Sequence, residues 1–242
     1  MLEKPYIKKL ETVGDFEVWE VDGMHIRNNM NREFTNFGQH FRFPFIPKHE
    51  FWIDRKQSEE ETGYFVDHMI VEWNLMNQGA SYDDAITKAD QKEMRERKKS
   101  DLMQKIRKKL VHTGKTIPKE LYVQKLADIE SPHIWIVNGE LVRDLFFIDF
   151  TEGGHHFVYD FVPYNEVWLD NDLVPAEREF VLLHELHERY LMFKGWSYNH
   201  AHNSSSFIEY RCRRDSKLLS EYINKEMENN ALVKPELVSA LA

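Results

Sequence analysis

A chain that contains itself twice is confined to folds that can be built from two like halves. Shifted by 116 residues, this sequence aligns with itself without a gap, 18–97 on 134–213, with 26 identities over 80 positions. Val18-Trp19-Glu20-Val21-Asp22-Gly23 falls on Ile134-Trp135-Ile136-Val137-Asn138-Gly139, and His68 and Glu72 fall on His184 and Glu188. Leu75, Met76, Gly79, Ser81 and Tyr82 recur as Leu191, Met192, Gly195, Ser197 and Tyr198. Chance likeness does not hold one register over such a length, so the chain is a tandem duplication. At 242 residues, 42% of them hydrophobic and 13% aromatic, it has material for two small cores.

Both copies read alike. Asp22-Gly23 and Asn138-Gly139, set between alternating apolar residues, predict a tight hairpin in each. Further strands are expected near 40–46 and 50–54, and near 156–162 and 166–170. Ser58 with Glu61 forms a capping-box pattern, and Pro175 stands where a first helical residue would be. Gly79 and Gly195 suit helix ends, and Ser81 and Ser197 suit the caps of a second helix. The expectation is an α+β protein, each half a small antiparallel sheet followed by two helices, the halves related by a pseudo-two-fold axis by analogy with homodimers. The parts are repeat one at 1–97, read as a degenerate copy, a helical basic connector at 98–133, repeat two at 134–228 and a loosely held tail at 229–242. Within the connector the second helix is expected to run on to about Leu110, and a short helical stretch to follow near 119–128.

Charge and composition narrow the function. The net charge of −9 argues against general nucleic-acid binding. Residues 92–109 carry nine Lys or Arg against three Asp or Glu, and read either as a solvated helix face or as a patch for an anionic partner such as nucleic acid or an acidic protein. No apolar run reaches membrane-spanning length and no secretory signal is visible, so a cytoplasmic protein without a membrane partner is expected. Cys212 is the single cysteine, which leaves His, Asp and Glu as the ligands of any metal site.

The copies differ where chemistry concentrates. Repeat two reads His184-Glu185-Leu186-His187-Glu188 on a helix whose apolar neighbours bury it, so His184 and Glu188 lie one turn apart. Glu185 stands where repeat one has Met69, His187 where it has Val71, His200 for Asp84, His202 for Ile86 and His155 for Gln39. Six of the twelve histidines fall between His155 and His202. One reading is a divalent metal, zinc or another, held by His184, Glu188 and His202, with Glu185 as general base and His187, His155, His156 and His200 as further candidates. The other makes the shared His–Glu pair a buried hydrogen-bonded strut of a non-enzymatic interaction protein, regulatory or phage-associated.

Residues 165–193, with their Trp-Leu-Asp strand and Phe-x-Leu-x-His-Glu-Leu-x-His-like helix, resemble the core of zincin-like metalloproteases of the ImmA/IrrE type. The resemblance implies a zinc ligand at His184 and a general base at Glu185, and hence a metal-dependent, peptidase-like hydrolase acting on a protein or peptide. It departs at position 188, where the family's second histidine is Glu. The whole chain also resembles uncharacterised phage and bacterial proteins with the same His-Glu-Leu-His-Glu landmark. Other chemistries find less footing. Gly114-Lys-Thr lacks P-loop spacing, and Ser204-Ser-Ser has no nucleophile elbow, so a serine hydrolase is not expected. The aromatic run from Phe34 to Trp52 alternates as the buried face of a sheet does.

Overall fold

The computed structural model describes residues 5–55, 61–100, 103–106, 108, 110, 117–127 and 132–233. The chain divides into two compact units, residues 1–118 with 143–149, and residues 119–142 with 150–242. In chain order the first unit has β1 (Tyr6–Val13), β2 (Phe16–Val21), α1 (Gly23–Asn29), β3 (Phe37–Gln39), β4 (Glu50–Asp54), α2 (Thr62–Asn77) and α3 (Tyr82–Arg97). There follow β5 (Tyr122–Ala127), β6 (His133–Val137), α4 (Gly139–Leu145), β7 (Gly153–His155), β8 (Glu166–Asp170), α5 (Pro175–Phe193), α6 (Tyr198–Arg214) and α7 (Leu219–Ala231). The two sheets have the same order, β1-β2-β4-β3 and β5-β6-β8-β7. The α+β duplication expected from the sequence is therefore present, down to side chains. Tyr6 OH and Trp52 Nε1 donate to Glu50, while Tyr122 OH and Trp168 Nε1 donate to Glu166.

Each sheet is mixed, not wholly antiparallel: β2 and β4, like β6 and β8, run parallel. The Asp-Gly and Asn-Gly pairs account for the difference. They start helices where hairpins were expected: Asp22 Oδ1 accepts from His25 N at 3.0 Å, and Asn138 Oδ1 from Leu141 N at 3.0 Å. The helices they start lie on the crossovers that a parallel pair requires. The strands expected at 40–46 and 156–162 are turns, bonded from Phe43 N to Gln39 O and from Val158 N to His155 O, because the strand ends early at Gln39 or His155. Alternation in the aromatic run nevertheless marked burial correctly, since Phe34, Phe43, Phe51 and Trp52 are core residues.

The connector and the tail also differ from expectation. α3 stops at Arg97 with its cap at Lys98 rather than running on unbroken, although the described residues among 103–110 are helical again, and Tyr122–Ala127 is a strand paired with β6, the counterpart of β1 on β2. Each repeat is thus longer at its start than the gapless alignment shows. Arg97, counted above with the basic stretch, is 1% exposed and bonded to Glu61, Glu93 and Asp144. Asn229–Ala231 end α7, and Asn230 is fully buried, donating to Leu186 O at 2.8 Å. Ser58, Gly114 and most of the expected tail lie outside the described residues. No described helix is long and apolar enough to cross a membrane.

In unit 2, Ile134, Ile136, Leu169, Leu173 and Val181 form the core between sheet and α5, and Leu183, Cys212 and Leu219 tie α5 to the later helices. Gly195, at φ +88°, reverses the chain after α5 so that α6 packs back along it. That reversal is what brings residues 202–213 to the His184 face.

Removing Arg97 would strand buried carboxylates, so Arg97→Met should destabilise the protein by about 3–5 kcal/mol. Arg95→Met, on the exposed face of the same helix, should change stability by less than about 0.5 kcal/mol. Urea denaturation of the two variants checks the contrast.

Candidate metal centre

Unit 2 gathers its ionisable groups along α5. His184 Nδ1 lies 2.9 Å from Glu209 Oε2, and Glu209 Oε1 accepts from Arg213 Nε at 2.8 Å. Arg213 in turn donates to Glu177 Oε1 at 2.8 Å. Burial opposes ionisation of Glu209, but the His184 and Arg213 contacts outweigh it and hold the carboxyl down at about 2. An ionised Glu209 can only accept, so the His184 proton sits on Nδ1, and Nε2 turns its other side to α6 and Glu188.

There three donor atoms converge. His184 Nε2 is 3.2 Å from His202 Nδ1 and 3.6 Å from Glu188 Oε2, and His202 Nδ1 is 2.9 Å from Glu188 Oε2. Tetrahedral zinc with bonds of about 2.0–2.2 Å sets its ligand atoms roughly 3.3–3.6 Å apart. The three atoms therefore already lie near the spacing of one face of such a tetrahedron. His184, Glu188 and His202 could hold a metal ion. Glu209 supplies the outer carboxylate that commonly orients a ligating imidazole. Without an ion, burial favours neutral His184, but hydrogen bonds to Glu188 and Glu209 outweigh it and push its pKa well above the ordinary value. Metal binding must therefore displace that proton, which couples affinity to pH.

Glu185, one residue along α5, is 8% exposed. Gly153 on β7 makes room for it: a Cβ there would stand 3.2 Å from Glu185 Oε1 and 2.9 Å from Trp168 O. Burial first, and then the Glu188 charge, raise Glu185 to about 8, in the range useful for proton transfer near neutrality. Glu188 moves the other way: burial resists its ionisation, but His155, His184 and His202 together hold it well below its ordinary value.

The remaining histidines part company. His155 is fully buried, with Nε2 3.2 Å from Glu188 Oε1 but not aligned for a hydrogen bond. His155, Glu185 and Glu188 form a second group that could hold an ion. However, His155 Nδ1 accepts from Phe157 N at 3.3 Å, which leaves the ring proton on Nε2, facing Glu188. In this arrangement His155 steadies the carboxylate. His156 packs between Phe157 and Tyr164, away from the three donors, and burial drives it down to about 3. His187 bonds to Glu226 and Ser204, and His200 bonds to Ser197 at the exposed start of α6.

Unit 1 supplies the comparison that decides which contacts belong to the fold. His68 Nδ1 meets Glu93 Oε2 at 2.9 Å, Glu93 Oε1 accepts from Arg97 Nε at 2.8 Å, and Arg97 reaches Glu61 at 2.7 Å. Gln39 Nε2 donates to Glu72 Oε1 at 2.7 Å, where unit 2 has His155 against Glu188. The His–Glu–Arg–Glu chain is thus common to both units, while His202 and Glu185 have only Ile86 and Met69 opposite them. No local motif marks Glu209, although it is identical with Glu93 in the self-alignment. Another exchange is at 189. Trp73 donates to Lys48 O at 3.0 Å, and buried Arg189 donates to the matching Tyr164 O at 3.2 Å.

No family model, curated protein or solved structure matches this chain. The reading of the site rests on its own geometry.

With metal chelated, Glu185 should make stability depend on pH. The folded state binds its proton more tightly than the unfolded chain, whose carboxyl titrates near 4.5. That contribution is full below the unfolded value and is lost as the pH rises through about 8. Between pH 6 and 9 the chelated wild type should lose stability relative to Glu185→Gln by on the order of a few kcal/mol. Thermal melts of both proteins across that range measure the difference.

Proposed function

We propose that unit 2 is a divalent-metal-dependent hydrolase of zincin-like character, with His184, Glu188 and His202 as ligands and Glu185 as general base. The observation that carries this reading is the near-tetrahedral spacing of three donors from two helices, present only in the copy that also has Glu185. Three protein ligands are the number a catalytic zinc takes, with a further position left for water or substrate. A bound divalent ion supplies Lewis acidity, polarising a carbonyl and making water acidic enough to attack near neutral pH. Glu185 accepts the proton of the attacking water and returns it to the leaving group, a shuttle its raised pKa suits. Glu209 and Arg213 hold His184 in the tautomer that leaves Nε2 free to ligate. A peptide bond is the substrate that the likeness around 165–193 favours.

The replacement of a second histidine by Glu188 bears on metal choice. A His₂–carboxylate set binds zinc and also suits other divalent first-row metals. The full-length protein, loaded with zinc and dialysed, should retain one ion per chain. His202→Ala should lower affinity about 10-fold or more, and Glu185→Gln should keep the ion yet lose peptide hydrolysis by about 10²–10⁴-fold. Failure of the wild type to retain any divalent ion would reject the proposal. Retained metal with unchanged turnover in Glu185→Gln would remove the hydrolase part of it.

A further inference from the structure

Beside the metal centre, α5 carries a second relay that shares none of its ligands. His187 Nδ1 lies 2.8 Å from Glu226 Oε1, and His187 Nε2 lies 3.0 Å from Ser204 Oγ. Glu226 is 2% exposed and its other oxygen accepts from Asn229 Nδ2 at 3.0 Å, so the carboxylate is fixed from both sides. Asn230 ties the same turn of α7 to α5, donating to both Leu186 O and Glu226 O at 2.8 Å. Since the carboxylate can only accept, the His187 proton sits on Nδ1 and the Nε2 lone pair faces the serine hydroxyl. Ser204 is half-buried, so its oxygen is within reach of solvent.

The order hydroxyl, imidazole, buried carboxylate, at hydrogen-bond distances throughout, is the arrangement that activates a serine nucleophile on several unrelated folds. The sequence placed Ser204 near His200 and His202. The structure pairs it instead with His187, whose counterpart in unit 1 is Val71, while Lys88 stands opposite Ser204. Glu226 comes from α7, beyond the self-aligned region.

We propose that Ser204, His187 and Glu226 form an acyl-transfer site for activated esters, independent of the metal centre. Ser204 Oγ attacks the ester carbonyl carbon while its proton passes to His187 Nε2. The bond to the alcohol oxygen breaks, and the leaving group departs with that electron pair and takes the proton from His187. Water then gives a proton to His187 and attacks the acyl carbon. The Ser204 Oγ–carbon bond breaks, the serine recovers its proton, and a carboxylic acid is released. Ser204 lies in the body of α6, where the neighbouring backbone N–H groups are used by the helix. The acceleration is therefore that of base catalysis alone, about 10²–10⁴-fold, which selects esters with good leaving groups. Glu226 is a positioning residue that sets the tautomer of His187.

The chain provides an internal control. Ser197 Oγ lies 3.0 Å from His200 Nδ1, a serine–histidine pair at an exposed position. No contact of His200 with a carboxylate is found among the described residues. The full-length protein treated with p-nitrophenyl acetate, with and without chelator, should carry one acetyl group on Ser204, formed about 100-fold faster than any on Ser197. Peptide mass mapping locates it. Ser204→Ala should abolish that label, and Glu226→Gln should slow it about 10-fold or more in protein whose thermal melt and metal content are unchanged, with partial rescue in Glu226→Asp. Labelling of Ser204 no faster than Ser197 would overturn the proposal and leave the three residues as a pin between helices. Labelling that vanishes on chelation would also overturn it, by assigning the reactivity to the metal centre.

Discussion

A carboxylate held between an imidazole and a guanidinium is the contact on which both units are built. Glu93 joins His68 to Arg97, and Glu209 joins His184 to Arg213, at the same distances. Any one of these groups would be costly to bury alone, since isolated buried charge is penalised by several kcal/mol. In sequence they compensate one another, and the series ends on Glu61 or Glu177 near the start of the preceding helix. The chain therefore fixes how the two long helices of each unit lie against each other, and it fixes the rotation of one histidine ring. In unit 1 that rotation sets His68 Nε2 3.4 Å from Glu72 Oε2. In unit 2 it turns Nε2 toward both Glu188 and His202.

This resolves the ambiguity of the His184–Glu188 pair. Strut and ligand are not exclusive roles, because the strut holds His184 through Nδ1 and leaves Nε2 for other work. Few differences separate the unit with the candidate site from the unit without it. Isoleucine to histidine at 202 adds the third donor, and methionine to glutamate at 185 adds a buried carboxyl with a raised pKa. The glycine at 153 gives that carboxyl its place against β7.

The self-alignment made the duplication, the helices and their glycine ends legible, and it singled out His202 through its contrast with Ile86. It misread the Asp-Gly and Asn-Gly pairs, because the same two residues that favour a tight turn also cap a helix. Only the pairing of β2 with β4 distinguishes the two. Tyr122–Ala127 reads as helix in the sequence because a short stretch of mixed residues carries little periodicity, while its strand character comes from pairing with β6. Glu209 and Glu226 were hidden for different reasons. Glu209 sits 25 residues from His184 and is joined to it only by the chain reversal at Gly195. Glu226 lies beyond the stretch over which the copies align, opposite Leu110 on the same shift, so the comparison of copies did not reach it.

Trp73 and Arg189 reach equivalent carbonyls from equivalent places, one with an indole and the other with a guanidinium. Trp73 packs edge-on against Phe16 within an aromatic cluster, whereas Arg189 is sealed from solvent and, among the described residues, donates to two neutral acceptors, Asn230 Oδ1 at 2.7 Å and Tyr164 O at 3.2 Å. The two units thus hold different solutions to the same carbonyl within the same architecture. Duplication keeps two accommodated answers in one chain: for each position at which unit 2 departs from unit 1, the alternative residue already stands in the same architecture.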